Sequence, residues 1–146
     1  MDVGTLLENL SQQIATCRPE DTMQTVATVL AAKRIGALPV CDETGAMVGI
    51  VSERDFVTAF AQSGAAAAGL RVRDVMTKNV ISCGPDDSLD EARAILRKHR
   101  FRHLPVVDGS VMIGILSIRD LLETSLEESQ FEVNVLKDSV IAARFR

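Results

Sequence analysis

The heptapeptide Gly49-Ile50-Val51-Ser52-Glu53-Arg54-Asp55 returns as Gly114-Ile115-Leu116-Ser117-Ile118-Arg119-Asp120, and this duplication limits the possible folds more than any other feature of the chain. Cys17 and Cys83, Pro19 and Pro85, Asp21 and Asp87, and Pro39 and Pro105 all stand 66 positions apart, whereas Gly49 and Gly114 stand 65 apart. The single-residue difference falls between Asp42-Glu43-Thr44-Gly45 and Asp108-Gly109-Ser110. Both read as turns, where changes of length are tolerated. The chain is therefore a tandem repeat, in which each unit carries a strand that ends where a helix begins, with a hydroxyl and a carboxylate at the junction. The exposed amides of such a helix start suit a phosphate.

Each unit reads β-α-β-β-α. A short strand (Ile14–Thr16; Val80–Ser82) meets a proline-containing loop, and Asp21-Thr22 or Asp87-Ser88 then caps a helix. The apolar face of that helix is Val26, Val29, Leu30 and Ile35 in the first unit and Leu89, Ala92, Ile95 and Leu96 in the second. A hairpin follows, from Leu38–Cys41 and Met47–Val51 in one unit and Leu104–Val107 and Val111–Leu116 in the other. Neither half can bury enough surface alone, so the expected fold is α+β (α/β class), with the two pseudo-symmetric units packed sheet to sheet. Residues 1–64 form the first unit with a short N-terminal helix at Val3–Asn9, 65–71 a linker, 72–128 the second unit and 129–146 a helical tail. The small-residue stretch Ala61–Gly69 reads as flexible, and Val72–Met76 as a short helical approach to the second unit. The tail places Phe131, Val135, Leu136, Val140 and Ile141 on a helix, an apolar stripe that suits an interface with the body of the chain or with a second copy.

Composition excludes several functions. Five Phe with no Trp or Tyr leave no stacking platform for single-stranded nucleic acid, and a net charge of −4 provides no electrostatic footprint for DNA or RNA. The first ten residues lack the basic and apolar regions of a signal peptide, and no apolar run spans a bilayer, so a cytoplasmic protein without membrane contact is expected. Three cysteines without a Cys-x-x-Cys suit a reducing compartment, and the matched positions of Cys17 and Cys83 favour buried apolar roles. The two histidines have no ligand partners at zinc spacing. With no nucleophile–base constellation and no Walker-type loop, the chain is not read as an enzyme.

Asp74-Val75-Met76-Thr77, Gly36-Ala37-Leu38-Pro39-Val40, Arg102-His103-Leu104-Pro105-Val106 and the two Ser-x-Arg-Asp junctions, taken in this order, resemble tandem CBS domains, the pair known as a Bateman module. The resemblance runs from about Leu10 to Leu122 and is to the stand-alone bacterial type, with no effector domain on the same chain. It implies a sensory module that binds an adenosine-containing ligand (AMP, ADP, ATP, NAD or S-adenosylmethionine) between the repeats as a regulatory ligand, with no obligatory cofactor. It also implies a homodimer and signalling to a separate effector protein. A ligand-free dimerisation or interaction scaffold is the alternative, and a nucleotide hydrolase comes third.

On this reading Asp55 and Asp120 accept from ribose hydroxyls, because a carboxylate offers two acceptor oxygens to a vicinal diol. Ser52 and Ser117, with the adjacent amides, meet the first phosphate, and Arg54 and Arg119 within the same motifs are counted among the nucleotide-binding residues. The same residues also suit a capping box at each helix start. By the family's pattern a pocket joins the Ser/Asp junction of one unit to the first strand of the other. The adenine walls are then Ile14, Ala15, Thr16, Ile35, Gly36 and Ala37 in the first unit, and Ile81, Ser82, Phe101 and Arg102 in the second. The basic run from Arg97 to His103 is the main asymmetry between units; Arg97 and Lys98 offset a helix dipole, whereas Arg102 and His103 stand at the strand entry, where an arginine can hold a phosphate in two-pronged fashion.

Overall fold

The computed structural model describes residues 1–10 and 14–144, with side-chain surroundings to residue 140. The elements in chain order are α1 (Val3–Asn9), α2 (Met23–Lys33), β1 (Ala37–Cys41), β2 (Met47–Ser52), α3 (Glu53–Ser63), a 3-10 helix (Gly64–Gly69), α4 (Val72–Val75), α5 (Leu89–His99), β3 (His103–Asp108), β4 (Val111–Ser117) and α6 (Ile118–Arg144). The hairpins β1–β2 and β3–β4 are antiparallel, and each carries a bulge at the same place, between Val40 and Cys41 and between Val106 and Val107. Thr22 and Ser88 are the N-caps of α2 and α5, each accepting from the backbone amide three residues on. Asp21 and Asp87 instead fold the proline loops, accepting from the amides of Arg18 at 2.9 Å and Gly84 at 2.8 Å.

The first strand of each unit is shorter than expected. Ile14–Thr16 and Val80–Ser82 are irregular, and each reduces to one parallel bridge just beyond, Cys17 to Val40 and Cys83 to Val106. The Cys17 amide donates to the Pro39 carbonyl at 3.0 Å, and the Cys41 amide donates to the Cys17 carbonyl at 2.9 Å. The next rung one way would need an N–H on Pro39, and the other way an N–H on Pro19. Proline has none, so pairing stops after one residue. Pro105 and Pro85 impose the same limit in the second unit. The missing proline N–H leaves the C=O of Ala15 and of Ile81 without a rung, and their N–H groups likewise make no hydrogen bond among the described residues.

Two cores result, and the helix entering each comes from across the repeat boundary. Leu38, Val40 and Val51 of the first hairpin pack with Met23, Val26 and Leu30 of α2 and with Val72 of α4. Leu104, Val106 and Leu116 of the second hairpin pack with Leu89, Ala92 and Leu96 of α5, Leu121 of α6, and Val3 and Leu6 of α1. Each fully buried leucine contributes about 1.5–3 kcal/mol. Backbone bonds repeat the exchange: Val3 and Gly4 donate to the carbonyls of Asp87 and Pro85, as Val72 and Arg73 do to Asp21 and Pro19. Thus α1, first in sequence, closes the second core. The two hairpins meet at their tips, where Met47 donates to the Ser110 carbonyl at 3.1 Å.

The glycine that heads each duplicated heptapeptide makes room for the entering helix. A Cβ on Gly49 would stand 2.6 Å from the Met76 sulfur and 2.9 Å from the Thr77 carbonyl oxygen, and one on Gly114 would stand 2.7 Å from a Leu7 methyl. The stretch expected to be a flexible linker is ordered instead. Ala61–Ser63 complete α3, Gly64–Gly69 form the 3-10 helix, and Ala67 is fully buried. Small methyls allow this segment to lie close against α2 and α3.

Candidate ligand-binding cleft

A cavity of about 450 Å³ lies between the two units. From the first unit it is lined by Ile14, Ala15, Lys33, Ile35, Ala37, Pro39 and Ile50, and from the second by His103, Pro105, Ile115, Ser117 and Asp120. Its size is in the range of small-molecule sites, which are mostly apolar with a few placed polar groups. The polar groups here are Lys33, His103, Ser117 and Asp120, and three of these four come from the second unit.

Register brings that cluster together. His103 opens β3 directly opposite Ser117, the last residue of β4, and Asp120 follows in the first turn of α6. The Ser117 amide donates to Oδ2 of Asp120 at 3.0 Å, and the Asp120 amide donates to Oγ of Ser117 at 3.0 Å, a reciprocal cap. Oδ1 of Asp120 has no partner among the described residues. Loss of hydration against the cleft walls lowers the His103 pKa below 6.5; Asp120 pulls it back up, and Arg102 lowers it further. The ring keeps an exposed edge. His103 is therefore mostly neutral at neutral pH.

Seven of the residues singled out in sequence line this one cavity: Ile14, Ala15, Ile35, Ala37, His103, Ser117 and Asp120. The others stand apart from it. Thr16 is exposed, and the Gly36 carbonyl accepts from the Glu53 amide at 3.0 Å. Ile81 and Ser82 are half-buried outside the cavity lining, and Phe101 is exposed and stacks on His99 with ring centroids 5.2 Å apart. The Arg102 side chain is exposed while its carbonyl accepts from the Ile118 amide at 2.9 Å; Arg119 pairs with Glu123 at 3.1 Å. Lys33, not Arg102, is the cation in the cavity lining. Its place at the end of α2 resembles an ordinary dipole-offsetting lysine, so no sequence signal marks it.

The equivalent junction of the first unit lies outside the cavity. Ser52 and Asp55 form the same reciprocal cap, at 2.9 and 3.3 Å, and the Ser52 hydroxyl also donates to Oδ2 of Asp55 at 3.2 Å. Arg54 beside them is exposed. The Glu53 carboxylate lies over Gly36, 3.9 Å from where a side chain there would begin.

The three cysteines are buried free thiols. Burial, reinforced by nearby carboxylates, pushes Cys17 up to about 12 and Cys83 up to about 11. Such thiols are poor nucleophiles. Among the described residues no group of three or more His, Cys, Asp or Glu side chains is placed to hold a metal ion, and no helix is long and apolar enough to cross a membrane.

The CBS domain family matches this chain twice, over residues 3–62 and 72–127. The CBS domain-containing protein YhcV of Bacillus subtilis is 30% identical over 122 residues, covering 82% of this chain and 84% of that protein. Inosine-5'-monophosphate dehydrogenase of Mycobacterium leprae is 37% identical over 111 residues, but the match covers 75% of this chain and only 20% of the dehydrogenase. Among solved structures, CBSX2 in complex with AMP aligns with a TM-score of 0.74 at 26% identity, covering 88% of this chain and 98% of that one. The CBS domain pair of protein MJ0100, in complex with 5'-methylthioadenosine and S-adenosyl-L-methionine, aligns with a TM-score of 0.72 at 26% identity over 88% and 98% of the two chains. The duplicated family match, the shared fold and the reciprocal capped junctions agree that the chain belongs to the CBS domain family and is a CBS pair, a module of regulatory type.

Proposed function

We propose that the chain senses an adenosine-containing nucleotide, bound in the cleft at Asp120, and passes its occupancy to a separate effector protein. The observation that carries this reading is the cavity itself, which sets apolar walls and the unpaired Ala15 backbone of one unit opposite Ser117 and Asp120 of the other. Adenine fits between Ile14, Ile35 and Ile115, its edge paired with the N–H and C=O of Ala15. The free Oδ1 of Asp120 accepts from the ribose diol, while Oδ2 keeps its capping bond. Ser117 and the Arg119 amide face the first phosphate, the Ile118 and Asp120 amides being already donated to Arg102 and Ser117, with Lys33 supplying the countercharge. The AMP held by CBSX2 and the adenosyl compounds held by MJ0100 share the part of the ligand that these groups recognise.

Binding across two units favours the arrangement in which both walls touch the ligand, and that differential affinity is the signal. The functional unit is a homodimer. Val57 and Phe60 on α3, and Ile118 and Leu122 on the equivalent part of α6, are exposed apolar side chains on repeat-related helices, and a second copy covers them. A thermal-shift screen with AMP, ADP, ATP, NAD, NADH and S-adenosylmethionine tests the reading. At least one of these raises the melting temperature of a sensor. A flat response to all of them supports the scaffold instead.

A further inference from the structure

The helix that carries Asp120 does not end with the module. α6 is 27 residues long, about 40 Å, and among the described residues its buried side chains are confined to its first turns. Leu121 and Thr124 are its last fully or nearly buried side chains, and every residue from Leu126 to Val140 is exposed. In proteins most helical stability comes from packing of an amphipathic face, so a helix held out in solvent gains from a partner that covers one.

The spacing of its apolar residues says what kind. Leu122, Leu126, Ser129, Val133, Leu136 and Val140 follow one another at alternating steps of four and three, the heptad seam of a left-handed coiled coil with one small polar residue in it. Leu126 and Leu136 on this line are 70% and 65% exposed. Val133, Leu136, Lys137 and Val140, at i, i+3, i+4 and i+7, surround a shallow hollow. Four residues in that diamond form the hole that receives one knob from a facing helix. Phe131 and Val135 lie off the seam and continue the module-facing row of Leu121 and Thr124.

We propose that the α6 helices of two copies of this chain pair in parallel as a short coiled coil, each Leu136 seated in the hollow formed by the other copy. The flanking charges select this occupant and this direction. With Leu126, Val133 and Val140 at the first apolar position of the heptad, Glu132 and Lys137 occupy the two flanking positions that face each other across a parallel pair. Glu132 then meets the partner's Lys137, and Lys137 the partner's Glu132. An antiparallel pair does not bring these two flanking positions together. The seam covers about two and a half heptads, too little to hold two chains alone, so the coil acts with the module contact between copies and gains from the high local concentration that contact provides. It rests on the homodimer reading and extends it: the helix whose first turn presents Asp120 to the cleft becomes the element that joins the copies, and ligand-dependent tilting of α6 reaches the coil directly.

Crosslinking through one introduced cysteine, the three native thiols being buried, tests the proposal in the full chain. Ser129→Cys lies on the seam, where the two copies are in register only if the helices are parallel, and Asp138→Cys lies on the outer face of the same helix. Under mild oxidation Ser129→Cys goes to covalent dimer with loss of the monomer band, whereas Asp138→Cys stays monomeric on the gel, as does Ser129→Cys combined with Leu136→Asp. Because Leu136 is 65% exposed and belongs to neither buried core, the second substitution leaves the module folded, which its unchanged melting temperature verifies. Equal crosslinking at 129 and 138, or none at either while light scattering still shows a dimer, overturns the coil and leaves the dimer standing. A monomer by light scattering overturns both.

Discussion

The two Ser-x-Arg-Asp junctions are near-identical in sequence and in hydrogen bonding, yet only the second lines the cavity of about 450 Å³ between the units. Both serine–aspartate pairs cap a helix reciprocally, at 2.9 and 3.3 Å for Ser52 and Asp55 and at 3.0 Å twice for Ser117 and Asp120. The difference lies in the neighbours. The first junction is flanked by Glu53, Gly36 and Ala37, and the second by Ile118, Arg102 and His103, with Lys33 in the cavity lining. A carboxylate at Glu53 repels phosphate where Ile118 is neutral, and the Ser52 hydroxyl is already donated to Asp55. Capping therefore accounts for the motif in both units, and on the proposed reading its surroundings decide which copy also binds. A repeated motif is evidence of a repeated fold before it is evidence of a repeated site.

The largest effect that separates the junctions is on affinity. Asp120→Asn keeps an acceptor for the cap but loses the charged partner of the ribose diol. A hydrogen bond to a charged group contributes about 1.5–3 kcal/mol, so nucleotide affinity falls roughly ten- to a hundredfold. Asp55→Asn leaves it unchanged. Titration of a fluorescent adenine nucleotide against both variants reads the difference directly, and equal losses would erase the distinction.

Next comes a difference in stability between the glycines that head the two heptapeptides. Gly49→Ala drives a methyl against the Thr77 carbonyl as well as Met76, and backbone cannot swing away. Overpacking of this kind costs about 1–3 kcal/mol. In Gly114→Ala the three nearest atoms all belong to the flexible end of Leu7, so this change costs less. Urea unfolding of the two variants should rank them in that order.

The smallest effect concerns pH. With its folded pKa below 6.5, His103 takes up a proton in the unfolded chain before it does in the folded one. Stability of the ligand-free chain therefore declines as pH falls from 6.5 through the lowered value, and the contribution is complete below it. His103→Gln flattens that part of the melting-temperature profile. The first unit has Ala37 at the matching position and adds nothing of the kind, so an unchanged profile in His103→Gln would place the slope elsewhere.

Much of this was legible in the sequence because the repeat fixes periodicity twice over. The hairpins, the caps at Thr22 and Ser88 and the entry helices all follow from it. The first strands were overestimated because their pairing depends on prolines at four separate positions, which act only once the strands are brought side by side. Ala61–Gly69 was misread because glycine and alanine signal flexibility in isolation but close packing when a helix lies opposite. In the cleft, the motif residues Ser117 and Asp120 and the apolar positions Ile14 and Ile35 were readable, whereas Lys33 was hidden in an ordinary helix end. The inequality of the two junctions was only partly visible, in the basic run ending at His103, because the shape of a cavity is not written in any local pattern.

The central claim is that one junction, the one at Asp120, makes the binding site. Calorimetric titration of the full chain with AMP, or with whichever nucleotide gives the largest thermal shift, measures stoichiometry directly. The account predicts one ligand per chain, with heat lost in Asp120→Asn and retained in Asp55→Asn. Two equivalent ligands per chain, or binding that survives Asp120→Asn and disappears in Asp55→Asn, would contradict it.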